Sequence, residues 1–233
     1  MRAKPVVSKY YATEDEAVRC LLCPRRCKLQ EGEFGSCGVR QNQGGRVVLA
    51  TYGQCSSIAV DPIEKKPLFH FYPGSVIFSV GTLGCNLHCL FCQNWEISQE
   101  KSGGHYLEPE QLVSRALEVP GNVGIAYTYN EPLIWFEYVL DAARLARERG
   151  LKNVLVTNGT INPEPLQELL PHIDAMNVDL KAIRQSFYSE LCDGFLRATQ
   201  ETITTAWAKC LVEVTNLVIP GYNDSDEDLE LSL

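Results

Sequence analysis

Three closely spaced cysteines carry the first chemical signal. Cys85, Cys89 and Cys92 lie in "GCNLHCLFCQNW" (84–95), separated by three residues and then two. Thiolates are the standard ligands of iron–sulfur clusters, which take four positions. Three thiolates on a four-iron cluster leave one iron without a protein ligand. An open coordination position is a catalytic feature, as it is on catalytic zinc. Zinc would need a fourth ligand nearby. His88 sits inside the loop, flanked by two of the cysteines, and is badly placed to close a tetrahedron with them. Four further cysteines, Cys20, Cys23, Cys27 and Cys37, run C-x2-C-x3-C-x9-C, with Pro24 and several glycines between them. Four thiolates can close a structural zinc site or hold an auxiliary iron–sulfur cluster. Cys55, Cys192 and Cys210 are isolated and read as buried or spare thiols. Cys55, nearest the triplet in sequence, is a candidate extra ligand.

The elements around the triplet must position it. From residue 75 a repeating order begins. "SVIFSVG" is a short apolar run ending in glycine, hence a buried strand, and the triplet follows it directly. "EPEQLVSRALE" is helical, with Leu112, Ala116 and Val119 on one face. "NVGIAYTY" is a strand. "EPLIWFEYVLDAARLARERG" is the clearest helix: Pro132 starts it, Phe136, Val139, Leu140 and Ala143 form one stripe, and Gly150 stops it. Strand "KNVLVTNG", helix "PEPLQELLP", strand "DAMNVDL", helical "SFYSEL" and "QETITTAWAK", and strand "LVEVTNLVIPG" complete the series. The strands are apolar throughout rather than alternating. That pattern predicts an α/β fold with a parallel sheet covered by helices and ligands at the strands' C-terminal ends.

Upstream, residues 1–43 read as a small metal-stapled module, because so short a segment buries little core of its own. Residues 44–74 read as strand pieces and then an extended run, "AVDPIEKKPLFHFYPG", whose prolines forbid a helix. The expected division is therefore 1–74, a cysteine-rich module with its extension, and 75–233, the α/β core. Lys65, Lys66 and His70 could face the site, although lysines in a proline-bounded loop are usually solvated.

"CNLHCLFC" resembles the C-x3-C-x-aromatic-C loop of the radical S-adenosylmethionine (radical SAM) superfamily, and the resemblance runs along residues 75–224. It implies a partial (β/α)6 barrel. It further implies a 4Fe–4S cluster on Cys85, Cys89 and Cys92, with S-adenosylmethionine (SAM) chelating the fourth iron and cleaved to a 5′-deoxyadenosyl radical that abstracts hydrogen. "TYNEP" (128–132) resembles the superfamily's Gly-Gly-Glu-Pro-like motif. Asn130 and Glu131 match the polar end that takes the SAM ammonium, and Tyr129 replaces a glycine. At "VTNG" (156–159), Thr157 and Asn158 would face the ligand. "NVDLKA" (177–182) resembles the Asp-Leu-Lys of glycyl-radical-enzyme activases, so Asp179 and Lys181 would hold the polar half of SAM. "LVIPGYND" (217–224) corresponds to the segment laid against adenine, with Ile219 and Pro220 matching loosely. "CLLCPRRC…GSCGVR" and "DPIEKKPLFHFYPGS" resemble the AmmeMemoRadiSam-system radical SAM enzymes, relatives of pyruvate formate-lyase activating enzymes. That family normally continues through a further helix and a sixth strand, so the barrel is expected to stop before its last strand.

Composition bounds the partners. Of 233 residues, 45% are hydrophobic and 21% charged, typical of a chain that buries a real core. A net charge of −8 argues against a nucleic-acid backbone as partner. No segment has the length of a membrane span and the N-terminus lacks a signal peptide's apolar stretch, so the cytoplasm is expected, where ten cysteines argue for metal over disulfides. The resemblance implies SAM, an electron donor such as flavodoxin or ferredoxin, and an unknown substrate that could be a protein. The competing reading is a non-catalytic scaffold with zinc or a cluster at its cysteines. There is no P-loop, dinucleotide fingerprint or Ser-His-Asp triad, and "DSDEDLE" has Leu229 where a calcium loop needs glycine.

Overall fold

The computed structural model describes residues 5–100 and 104–232. Its central element is one six-stranded sheet: β1 (Ser57–Pro62), β2 (Val76–Gly81), β3 (Asn122–Tyr127), β4 (Lys152–Thr157), β5 (Ala175–Asp179) and β6 (Leu211–Thr215), in spatial order β6-β5-β4-β3-β2-β1. The five strands read from the sequence are parallel to one another. The sixth comes from the upstream extended run: β1 pairs antiparallel with β2, from Ser57 opposite Gly81 to Pro62 opposite Val76.

Residues alternate between the two faces along each strand, and both faces are buried. Phe78, Val80, Ile125, Tyr127, Leu155, Met176 and Val178 join the main core. Their neighbours Ile77, Ala126, Val154 and Ala175 pack on the other face with Ile63, Leu68 and Phe71. This explains why the strands read as continuous apolar runs.

The covering helices are α1 (Pro109–Leu117), α2 (Phe136–Glu148), α3 (Pro163–Leu169), α4 (Leu196–Trp207) and α5 (Asp226–Ser232). Phe136, Val139, Leu140, Ala143 and Ala146 of α2 are buried, as the stripe predicts. The chain leaves α2 at Gly150, whose φ of +79° an L-residue would resist. The acidic start of α5 does not lie wholly in solvent. Asp228 is buried and pairs with Arg184, because the helix lies against the segment after β5.

The cysteine-rich stretch forms short antiparallel sheets, one of Tyr11–Glu14, Ala17–Cys20 and Lys28–Leu29, another of Val6–Val7, Val47–Leu49 and Arg40–Asn42. Val18, Leu22, Val39 and Leu49 share one core with Leu133, Ile134 and Phe136. Arg40 is fully buried and pairs in a fork with Glu137, Nη1–Oε1 at 3.0 Å and Nη2–Oε2 at 2.6 Å. No helix of the described residues is long and apolar enough to cross a membrane.

Candidate active site

The C-terminal ends of β2 to β6 open on one cavity of about 390 Å³. The triplet Cys85, Cys89 and Cys92 lines it, with Asn130, Glu131, Thr157, Asn158, Asp179 and Lys181. Every strand end therefore delivers a polar or sulfur group to the same space. A second cleft, of about 770 Å³, lies at the opposite strand ends, near Arg147, Asp174 and Lys209, and no thiol lines it.

Glu131 is the organising carboxylate. It is 0% exposed and accepts from Thr157 Oγ1 at 2.7 Å, from the Asn158 amide at 2.8 Å and from the Leu133 amide at 2.8 Å. Burial pushes its pKa up to about 7, with the three donors pulling the other way. Glu131 does start a helical turn, Pro132–Trp135, through the Leu133 contact. Its other two bonds reach across to the end of β4, which a mere helix start would not need. Asn130 acts as a brace: its Nδ2 donates to Gly84 O at 2.7 Å and its Oδ1 accepts from Thr82 N at 3.1 Å.

The thiols meet donors. Cys85 Sγ accepts from Leu87 N at 3.4 Å and Asn158 Nδ2 at 3.6 Å. Desolvation nevertheless pushes the Cys85 thiol well above its ordinary value, so it would lose its proton on binding metal. Cys89 goes the other way. Cys192 donates to its sulfur, and the Lys181 ammonium is close by, so the Cys89 thiol is lowered. Cys192, read as a spare thiol, is fully buried beside the loop, and its carbonyl accepts from His88 N at 2.8 Å. His88 Nδ1 itself faces Asp193 at 3.2 Å. Cys55 is buried outside the cavity wall, against Gly53.

Asp179 and Lys181 form an ion pair at the end of β5. Burial disfavours the Lys181 charge, but Asp179 and the nearby sulfurs outweigh it and raise the pKa. At the end of β6 the cavity is lined by Thr215 and Leu217. Ile219 packs instead with Leu87, Ala182 and Phe187, and Pro220 is exposed. The strand ends at Thr215, earlier than its apolar run suggests, which shifts the inward positions. His70 is 83% exposed beside Glu213 and away from the cavity. Lys65 lines the cavity as expected, and so does Lys66, but Lys66 is not solvated. It is 1% exposed and paired with Asp61 on β1. Asp61 and Lys66 form a constellation with Tyr129, which occupies φ +73° where the resembling motif has glycine.

Comparison with known proteins agrees with this layout. Residues 79–232 match the Radical SAM superfamily. The chain belongs to that superfamily. The fold is similar to that of Streptococcus suis SuiB bound to S-adenosylmethionine, which aligns at a TM-score of 0.52 and 15% identity over 65% of this chain and 35% of that one. An uncharacterized protein, MJ0808, of Methanocaldococcus jannaschii is 44% identical over 94% of this chain and 66% of its own length. The pyruvate formate-lyase-activating enzyme of Clostridium pasteurianum is 24% identical over 63% of each. The chain thus spans just under two thirds of the length of these relatives.

The radical SAM superfamily's cofactors are a 4Fe–4S cluster and SAM, and the residues present fit both. Three thiols with sulfur-directed donors suit a cluster's ligands. A buried carboxylate and a Lys–Asp pair suit the charged end of an amino acid. Behind the loop, Cys20, Cys23, Cys27 and Cys37 surround one small enclosed cavity beside Arg40. Among the described residues no group of three or more His, Cys, Asp or Glu forms a ready site for a single metal ion. This second cysteine group abuts the first: a Cβ on Gly84 would lie 2.3 Å from Cys37 O, and Arg25 Nε donates to Asn86 O at 2.7 Å.

Proposed function

We propose that this protein is a radical SAM enzyme that holds a 4Fe–4S cluster on Cys85, Cys89 and Cys92 and cleaves SAM to abstract hydrogen from a substrate. When bound, cluster and SAM together supply reductive cleavage to methionine and a 5′-deoxyadenosyl radical. The observation that carries this reading is the convergence of three thiols, a buried carboxylate and an ion pair on one cavity.

The chain's own residues have distinct tasks in it. Glu131, pre-oriented by three donors, accepts the SAM ammonium. Thr157 and Asn158 hold that carboxylate in place, and Asn158 also steadies Cys85. Asn130 ties the cysteine loop to the end of β3. Asp179 and Lys181 meet the polar half of SAM, and the Lys181 charge favours thiolate at Cys89. Leu217, rather than Ile219 or Pro220, supplies the apolar surface for the adenine. The cysteines Cys20, Cys23, Cys27 and Cys37 close a zinc site or hold an auxiliary cluster, with the Arg40 guanidinium offsetting thiolate charge. A flavodoxin or ferredoxin supplies the electron.

Anaerobic reconstitution followed by dithionite and SAM tests this reading. The expected product is 5′-deoxyadenosine, lost in Cys85→Ala. No product from cluster-loaded protein, or zinc without iron at the loop, would overturn it in favour of a non-catalytic scaffold.

A further inference from the structure

The cavity has a second polar end, which the groups assigned to SAM leave unused. Asp61 on β1 lies opposite Ile77 of β2. Gly81, where β2 hands over to the cysteine loop, is four residues further on, roughly 13 Å at the rise of a strand. Asp61 is 4% exposed and accepts three hydrogen bonds: Lys65 Nζ at 2.9 Å on Oδ1, and Lys66 Nζ at 2.7 Å and Tyr129 Oη at 2.6 Å on Oδ2. Both lysines line the cavity. The Lys65 side chain is 66% exposed and that of Lys66 is 1% exposed. Ile63, Leu68 and Phe71, from the segment that carries the lysines, pack in one apolar cluster with Ile77, Ala126 and Val154 of the sheet.

Two features mark this end as built for a ligand. The first is charge. Lys65 and Lys66 bring two positive charges to one negative charge on Asp61, which leaves a surplus of one (+2 − 1 = +1). The buried Lys66 charge is matched by Asp61, so the unmatched ammonium is that of Lys65, part of the same cavity wall and open to an incoming anion at 66% side-chain exposure. The second is strain. Tyr129 holds a left-handed φ of +73°, costly for a residue with a side chain. Its ring lies 4.5 Å from the Lys66 ammonium and its hydroxyl donates to Asp61. Gly81 clears space for that ring, since a Cβ there would lie 3.0 Å from Tyr129 Cδ2. Asn177 donates to Pro67 O at 3.1 Å and fixes the turn that carries the lysines.

We propose that Lys65, Lys66 and Tyr129 form the substrate end of the cavity and that the substrate carries a carboxylate bound there. This rests on the reading of the cavity as the site of SAM cleavage. A monoanionic carboxylate brings the lysine end to neutrality. A phosphate dianion would leave a negative surplus beside Asp61, and among the described residues the cavity wall has no arginine to meet it. A neutral substrate would gain no ion pair from Lys65.

Saturation-transfer NMR on the cluster-loaded protein tests this, with acetate as probe, acetamide as its neutral isostere and inorganic phosphate as competitor. Acetate is expected to bind the wild type in preference to acetamide. Lys66→Met should weaken acetate roughly tenfold, the loss of one charged hydrogen bond, and Lys66→Arg should recover part of it. Lys65→Met, at an exposed position, should also weaken acetate and keeps the test readable should Lys66→Met not fold. Equal binding in all variants, equal binding of acetamide, or tighter binding of phosphate would overturn the proposal. So would an absence of acetate binding to the wild type. Deoxyadenosine formation by the wild type is scored in parallel. Its absence alongside lysine-dependent acetate binding overturns the SAM reading alone. Its presence without such binding overturns the carboxylate site alone.

Discussion

Asn158 joins Glu131 to the cysteine loop: its backbone amide donates to Glu131 Oε2 at 2.8 Å, and its side-chain amide lies 3.6 Å from Cys85 Sγ. One residue at the end of β4 thus orients both the carboxylate assigned to SAM and the first sulfur assigned to the cluster. The two halves of the site are coupled through it, and the consequences can be measured separately.

Glu131→Gln keeps the shape and removes the charge. SAM affinity should fall about 10- to 100-fold, the value of a charge-assisted hydrogen bond in a buried site. Iron content should stay the same, because Glu131 is not assigned as a ligand. Equilibrium dialysis of SAM, with iron counted on the same samples, checks both.

The pH dependence of SAM binding follows from the same residue. Burial raises the Glu131 pKa to about 7. The ionised form attracts the SAM ammonium, so affinity should be full above that value and weaken as pH falls through it. The limiting slope is about tenfold per unit. The sign for stability is opposite in the unliganded protein: a raised carboxylate pKa contributes stability fully present below its ordinary value and lost as pH rises through 7. Glu131→Gln should flatten the binding profile.

Gly84→Ala should damage the loop from behind. Gly84 has a φ of +81°, and a Cβ there would lie 2.3 Å from Cys37 O, a backbone atom that cannot turn away. Left-handed strain and overpacking together cost about 2–4 kcal/mol. The urea midpoint should drop, and iron per chain with it.

Arg40 and Glu137 form a bidentate pair, with side chains 2% and 11% exposed. Removing one partner leaves a buried charge, so Arg40→Met should destabilise by about 3–5 kcal/mol. The double variant Arg40→Met/Glu137→Leu should recover much of that loss. A double-mutant cycle by urea denaturation checks it.

The five parallel strands were legible because each is an apolar run buried on both faces. The triplet and the polar strand ends were legible because the fold brings the C-terminal ends of neighbouring parallel strands together, as their pairing register does here. Lys66 was not. Its burial depends on Asp61 from β1 and on Tyr129 from beyond β3, and no local pattern encodes that meeting. Cys192 read as spare for the same reason: its neighbour Cys89 is distant in sequence. Ile219 and Pro220 missed the cavity because "LVEVTNLVIPG" stays apolar after its strand pairing has ended at Thr215.

The most direct measurement is iron and acid-labile sulfide per chain after anaerobic reconstitution, in the wild type and in the triple Cys85/Cys89/Cys92→Ala variant. With Cys20, Cys23, Cys27 and Cys37 intact in both, the difference should be about four irons and four sulfides, one cubane cluster. Equal counts in a folded triple variant would contradict the assignment of the cluster to this loop.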